Sequence, residues 1–240
     1  MKLKVMTFNI QHGRNHNLPG DVIDLPLMLE TVRSCDPDIL SLNEVRKGHE
    51  DNCYPDEPKF FEKSLGCYCY FGDALQFRAG RLYGNAVCSK YPFVKVEKYM
   101  IPDVPKEERK GFYYETRCIV RSDYVIDEKQ LTVLSSHFGL VPEEQNNAVD
   151  LVLKITETIN NPIILMGDFN MTPDNHNISR LASVFTDVHG YLGKSDYTFT
   201  SDKPKEKIDY IFSKGLKIVN ADTVKVIASD HFPITAEFEF

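Results

Sequence analysis

PIILMGDFN, Pro162 to Asn170, joins a continuous apolar run to two polar side chains, Asp168 and Asn170. A run of about four to eight apolar, β-branched-rich residues bounded by Pro and Gly reads as a strand buried on both faces. Asp168 and Asn170 therefore emerge where a core strand meets solvent. Side chains at i and i+2 of an extended segment share a side, so a carboxylate and an amide oxygen can converge on one cation or one water molecule.

Upstream of that strand, LTVLSSHF alternates as a strand ending at His137, and Ala148, Leu151, Val152, Ile155 and Ile159 form a helical stripe that Asn161 and Pro162 close. The same grammar opens the chain. LKVMTFNI reads as a strand with a polar terminus at Asn9, and a loop rich in Gly, Asn and His follows from Gln11 to Gly20. Leu25, Met28, Leu29 and Val32 then make a helical stripe ended by Asp36 and Pro37, and PDILSLNEV is a second strand finishing at Glu44. Asn9 and Glu44 are 35 positions apart, and His137 and Asp168 are 31 apart. Two strand-helix-strand units of similar length suggest two related halves, whose sheets pack face to face with helices outside.

Between the units, Arg46 to Val125 is rich in aromatics. CYCYFGDAL, YGNAVCSKYPFVKVEKYMI and GFYYETRCIV read as antiparallel strands separated by charged loops such as Pro102 to Gly111. The carboxyl part adds YTFTSD, the strand KIDYIF, the edge-like GLKIVNADTVKVI and SDHFPITAEFEF. No linker divides the chain, so residues 1–240 are expected to form a single domain.

The chain is 42% hydrophobic and 26% charged over 240 residues, enough to bury a sizeable core. A net charge of −7 argues against tight sequence-independent nucleic-acid binding, which needs a basic face. Lys203, Lys205 and Lys207 offer a local basic patch or, the favoured reading, a solvated turn marked by Pro204. No apolar run is long enough to span a bilayer and no amino-terminal segment resembles a signal peptide, so a cytoplasmic protein is expected. Six cysteines, Cys35, Cys53, Cys67, Cys69, Cys88 and Cys118, are expected as free thiols. Cys67 and Cys69 lack the spacing of a zinc site, and no histidine stands at a recognisable spacing for thiol catalysis.

Collected, the polar strand ends are Asn9, Glu44, His137, Asp168 with Asn170, Asp209 and Asp230 with His231. Each alone has a structural explanation as a cap, a surface group or a satisfied core side chain. Together, carboxylates and amides without cysteine select a hard cation such as magnesium or manganese, and histidines beside aspartates suit proton transfer or charge stabilisation.

TFNIQHG, LNEV, SSHFG, GDFN, IDYIF and SDHFPI occur in an order, and over a length, that resembles the endonuclease/exonuclease/phosphatase superfamily with its deoxyribonuclease I-like fold. The resemblance implies an α/β fold, a four-layer α/β/β/α sandwich of two packed, mostly antiparallel mixed sheets flanked by helices. It further implies a magnesium-dependent hydrolase of phosphate esters, with manganese an alternative ion. Carried over, Glu44 is the main metal ligand with Asn9 beside it and Asp230 assisting. Asp168 and Asn170 orient or deprotonate the attacking water, His231 partnered by Asp209 acts as base or as imidazolium, and His137 contacts phosphate. Asn85, within YGNA, lies near substrate or in a turn, and Arg117 meets phosphate or pairs with Glu115. Asn43 stands where many relatives carry Gln.

The favoured expectation is a phosphodiesterase acting on a small molecule or lipid headgroup. A nuclease acting on DNA or RNA is the alternative, and a non-catalytic binding module is the second. Oligomeric state is not legible in the sequence.

Overall fold

The computed structural model of the chain describes residues 1–48, 54–77, 80–111 and 113–240. In chain order its elements are β1 (Lys2–Asn9), α1 (Leu25–Cys35), β2 (Ile39–Lys47), α2 (Glu57–Leu65), β3 (Tyr68–Gln76), β4 (Leu82–Ser89), β5 (Lys95–Met100), β6 (Cys118–Ile126) and β7 (Lys129–His137). Then come α3 (Pro142–Thr156), β8 (Ile163–Asp168), α4 (His176–Ala182), β9 (Thr186–Asp187), α5 (Val188–Tyr191), β10 (Asp209–Lys214), β11 (Lys217–Thr223) and β12 (Ile234–Glu239).

Among the described residues the strands form two six-stranded sheets, ordered β11-β12-β1-β2-β4-β3 and β5-β6-β7-β8-β10-β9. Read in those directions the orders correspond, with a parallel pair third and fourth in each: β1 with β2, and β7 with β8. The other neighbours run antiparallel. Parallel neighbours need a crossover, and the two periodic helices α1 and α3 provide it. The repeat read from the sequence is thus a repeat of topology.

Alternation along β8 explains the layering. Ile164 and Met166 join Leu3, Val5, Ile39, Val133, Ile211 and Ala236 in the layer between the sheets, while Ile163 and Leu165 pack on Ala148, Val149, Val152 and Ile155 of α3. On the opposite outer face, Met6, Phe8, Leu40 and Leu42 pack under Met28 and Val32 of α1 and Phe61 of α2. The result is the α/β/β/α sandwich. A side chain of this size contributes roughly 1.5–3 kcal/mol on full burial, so the both-face burial of β8 makes it a central stabilising element.

Local chemistry fixes the helix limits. Asp24 accepts from the Leu27 amide at 3.1 Å, Pro26 stands in the first turn, and Asp36 leaves the helix at φ 45 before Pro37. α3 ends at Thr156, so Ile159 of the predicted stripe lies beyond the helix, although it remains buried in the same cluster.

Several expectations need correction. The aromatic-rich interval contains a helix, α2, capped by Asp56 on the Lys59 amide and ended by Gly66 at φ 62. Of GFYYETRCIV, the strand begins only at Cys118. Lys207 is buried and ion-paired with Asp187 at 2.6 Å, which removes it from any basic patch. Cys53 lies outside the described residues; Cys35, Cys67, Cys69, Cys88 and Cys118 are free thiols, as expected. Among the described residues no helix is long and apolar enough to cross a membrane.

Gly167 carries a testable structural requirement. Its φ is +151, and a Cβ there would lie 1.7 Å from the Ser136 carbonyl oxygen on the paired strand β7. Gly167→Ala should cost about 3 kcal/mol or more through overpacking and displacement of the adjacent Asp168. Urea unfolding measures this, and a loss below 1 kcal/mol would show that β7 and β8 tolerate wider spacing.

Candidate active site

The strands carry their chemistry at one end of the inter-sheet layer. Inward positions of β1 run Leu3, Val5, Thr7, Asn9; those of β2 run Ile39, Ser41, Asn43; those of β7 run Val133, Ser135, His137; and Ile164, Met166 of β8 lead to Asp168. Alternation carries the core face on to its polar end, so these side chains are placed by core strands rather than by loops. Ser41 and Ser135 hydrogen-bond across the sheets. Asn43 accepts from the Asp168 amide at 3.0 Å and donates to Asn85 Oδ1 at 2.9 Å and to the Ser136 carbonyl at 3.2 Å. It fastens the two sheets together behind the site.

Asp168 is the hub. Its Oδ2 accepts from Asn9 Nδ2 at 2.9 Å and lies 3.6 Å from His231 Nε2 and 3.4 Å from His137 Nε2, while Oδ1 accepts from the Asn170 amide at 3.0 Å. Asn170 reaches this position in the left-handed region, at φ 51, which an Asn tolerates better than most residues. His231 Nδ1 donates to Asp209 Oδ2 at 2.9 Å, and its ring packs against Phe199 with centroids 4.8 Å apart.

Burial by itself lowers His231, but Asp209, Asp168 and Asp230 outweigh it and push the imidazole up to about 10. Burial, with Asp209 adding to it and the His231 cation opposing, pushes Asp168 up to about 7. One proton therefore sits on His231 between two carboxylates. His137 is held well below its ordinary value by burial and by the charges of Arg117 and His231. Arg117 Nη1 lies 3.0 Å from His137 Nδ1 and, having no acceptor, must donate; the neutral ring then carries its proton on Nε2, facing Asp168. The Asn170 side chain donates from Nδ2 to the Phe138 carbonyl at 3.0 Å, and the same nitrogen lies 3.0 Å from His137 Nε2, so its second N–H turns aside from the ring proton.

Glu44 sits within a register shift between Leu42 and Val45, with φ 59. The strand continues to Lys47 instead of finishing at Glu44. Alternation alone would point Glu44 away from Asn43, and the bulge turns it back so that Asn9 Nδ2 donates to Glu44 Oε1 at 3.0 Å. Gln11 donates from Nε2 to Asp230 Oδ2 at 2.7 Å and from its backbone amide to Asn9 Oδ1 at 3.0 Å, and its own Oε1 is buried without a partner among the described residues. Burial raises Asp230.

Glu44 and Asp230 carboxylates, the Asn9 amide and an orphaned Gln11 carbonyl form an oxygen-bearing set that fits a hard divalent cation. Asp168, Asp209 and His231 also bring potential ligand atoms within 4.8 Å of one another. That group is internally satisfied: His231 Nδ1 is bonded to Asp209, and the ring holds a proton where a metal would need a lone pair. The Glu44 side is the better cation site.

Asn9, Glu44, His137, Asp168, Asn170, Asp209, Asp230 and His231 are therefore brought together. Asn85 lies within β4 with its side chain buried, donating to the Cys118 carbonyl at 3.2 Å and accepting from Asn43. Arg117 pairs with Glu115 at 3.2 Å, one of its two expected roles, and additionally orients His137. Sequence reasoning passed over Gln11, Asn43 and Phe199 as site components. Gln11 was visible within TFNIQHG, but its bond to Asp230 spans 219 positions and leaves no local pattern.

Beside Glu44 opens a cleft of about 590 Å3 lined by His12, Arg46, Tyr54, Phe77, Arg81, Tyr83, Tyr113 and Glu115 together with Glu44 itself. Arg46 and Arg81 each lie 5.2 Å from the Tyr54 ring centroid.

Comparisons with known proteins bear on the family and the fold. The sequence model described as "Endonuclease/Exonuclease/phosphatase family" matches residues 6–231. Uncharacterized protein YbhP of Escherichia coli is 28% identical over 259 aligned positions, covering 98% of this chain and 95% of YbhP. The fold is similar to that of an endonuclease/exonuclease/phosphatase structure from Beutenbergia cavernae (TM-score 0.82, 22% identity, 100% of this chain and 72% of that one). It is also similar to a mannosyl-6-phosphatase from Bacteroides thetaiotaomicron (TM-score 0.77, 17% identity, 99% of this chain and 100% of that one).

Proposed function

The chain belongs to the endonuclease/exonuclease/phosphatase family, a family of phosphoester hydrolases, and from that premise we propose that it is a divalent-cation-dependent phosphodiesterase acting on a small molecule. The observation that carries the reading is the Asn9 amide, which bonds both Glu44 and Asp168 and so ties an oxygen-bearing cation site to a proton-handling site. Gln11 Oε1 beside it has no partner among the described residues and supplies a further oxygen for a cation.

Each side chain then has a task. Asp168, poised near neutrality, takes the proton from the attacking water while Asn170 helps to place that water. His231, kept protonated by Asp209, offsets charge that builds on a phosphoryl oxygen. His137, held neutral and oriented by Arg117, faces the same region with its Nε2 proton. Glu44, with Asn9, Asp230 and Gln11, would hold the cation, for which magnesium is the favoured ion and manganese the alternative. A divalent cation there supplies charge neutralisation at the phosphate. Catalysis is then positioning plus electrostatics, as a phosphate centre demands.

A small-molecule substrate is favoured by the net charge of −7 and by the burial of Lys207, which leaves the lysine triplet without a continuous basic track. Similarity of fold to a mannosyl-6-phosphatase is compatible with such a substrate. Hydrolysis of bis(p-nitrophenyl) phosphate and p-nitrophenyl phosphate, each with and without EDTA, tests the class. Activity on the diester that EDTA abolishes and magnesium restores is expected; EDTA-resistant hydrolysis would overturn the cation requirement. Glu44→Gln should weaken manganese binding, followed by electron paramagnetic resonance, by about tenfold or more.

A further inference from the structure

We propose that Cys67, Cys69 and Cys88 form a reversible oxidation site, at which a small hydroperoxide oxidises Cys67 and Cys88 converts the product into a disulfide. Cys67 and Cys69 are two apart at the start of β3, so both side chains turn to the outer face of the sheet, under α1 and α2. Cys88 on β4 stands opposite Cys69 in the antiparallel register and turns the same way. The Cys88 thiol donates to Cys69 Sγ at 3.1 Å, and a side-chain hydrogen bond also links it to Cys67. Two half-buried thiols thus meet around one buried sulfur.

Access and acidity separate this group from the other described cysteines. A cavity of about 90 Å3 lies over the same face, lined by Cys67 and Cys88 together with Val32, Leu40, Leu65 and Lys90. About 10–15 Å3 admits one water molecule, so a small peroxide fits. The hydrogen bond to Cys88 holds Cys67 below its ordinary value against the effect of burial, whereas the bonds to Cys67 and Cys69, with burial, push Cys88 well above its own. Of these two, Cys67 gives up its proton first, and the thiolate is the reactive form. Cys118, bonded to the Gly72 carbonyl, is pushed up to about 12 by burial and stays inert.

The chemistry balances as a two-electron oxidation of two thiols by one hydroperoxide. Cys67 sulfur attacks one peroxide oxygen, the O–O bond breaks, and the other oxygen takes a proton and leaves as water or an alcohol. Cys88 sulfur then attacks the Cys67 sulfenic acid; the S–S bond forms, the S–O bond breaks, and the hydroxyl leaves as water with the Cys88 proton. Cys69 next attacks Cys88 sulfur and passes its proton to Cys67, which leaves readily because its pKa is depressed. The final disulfide joins Cys69 and Cys88. Opposite residues on paired antiparallel strands hold their Cβ atoms about 4.5–5.5 Å apart, within about 1 Å of what a disulfide needs.

The test treats the fully reduced chain with hydrogen peroxide, blocks thiols with N-ethylmaleimide at intervals and maps non-reduced peptides by mass spectrometry. A disulfide between Cys69 and Cys88 of one chain is expected, reversed by dithiothreitol, with Cys118 remaining a thiol. Cys67→Ser should slow disulfide formation by about tenfold or more. Cys69→Ser should stop the sequence at a disulfide between Cys67 and Cys88, and Cys88→Ser should leave a Cys67 sulfenic acid that dimedone traps. Oxidation of Cys118 as fast as the trio, a disulfide between chains instead of within one, or a wild-type rate in Cys67→Ser would each overturn the inference. The wild-type map is decisive by itself where a variant does not fold. Hydrolysis of bis(p-nitrophenyl) phosphate is measured separately, so failure of either reading leaves the other standing.

Discussion

Asp168→Asn should lower kcat/KM for bis(p-nitrophenyl) phosphate by about 100- to 10,000-fold, the range over which a positioned general base acts. The replacement is isosteric, so the Asn170 amide keeps an acceptor, but the atom now facing Asn9 Nδ2 and the two histidines can no longer accept a proton. Loss of activity should not be loss of fold. Asp168 lies above its ordinary 3.8, at about 7, when folded, so the folded state holds its proton more tightly than the unfolded chain does. Its contribution to stability is present below about pH 4 and is lost as pH rises through 7. Asp168→Asn removes that decline, and urea unfolding should show a flatter stability profile between pH 4 and 7 than wild type. His231 gives the profile its second slope, since its rise from 6.5 to about 10 adds stability that is full below 6.5 and is lost towards 10. Retention of more than a tenth of wild-type activity would remove Asp168 from the role of base.

The sequence carried the fold because its strongest signals are the core strands. PIILMGDFN is buried on both faces, and its polar end is where a chain of alternating inward positions leaves the apolar layer. The two crossover units were legible because parallel strands force a long connection and the helices that fill it show their period. α2 was not, since nine residues in an aromatic-rich interval present little more than two turns, and Asp56 and Gly66 read equally well as loop residues. At the site, Asp209 was readable as the partner of His231, but Glu44 was placed on the right side of the sheet by a bulge that alternation does not disclose. Asn43 illustrates the same limit from the other direction. Set beside Glu44, it proves to face inward and bind the Asp168 amide and Asn85. Pairings such as Gln11 with Asp230 and Arg117 with His137 arise only when distant strands meet.

Asp209→Asn should both weaken catalysis and move its pH range. In the wild type the window for activity should open as Asp168 loses its proton near 7 and close as His231 loses its proton near 10. Asp209 acts on both limits. Its charge is the largest of the influences that raise His231 against burial, and it also helps to raise Asp168. Removing it should therefore shift both limbs of the kcat/KM profile to lower pH, the alkaline limb further, because His231 also loses the stabilisation of its Nδ1 hydrogen bond. The bell narrows as it moves. At pH 8 the variant then suffers from a deprotonated His231 and a ring whose tautomer is no longer fixed, and a loss of about 100-fold or more is expected. A bound divalent cation adds positive charge beside both groups and lowers both limbs in either protein, so the comparison is made at one saturating magnesium concentration. Titration of the His231 imidazole by NMR separates the two causes: a fallen ring pKa with a shifted alkaline limb supports charge control by Asp209. An unchanged ring pKa with lost activity would instead make Asp209 a group that only orients the histidine, and the protonated His231 would have to be sustained by Asp168 and Asp230 alone.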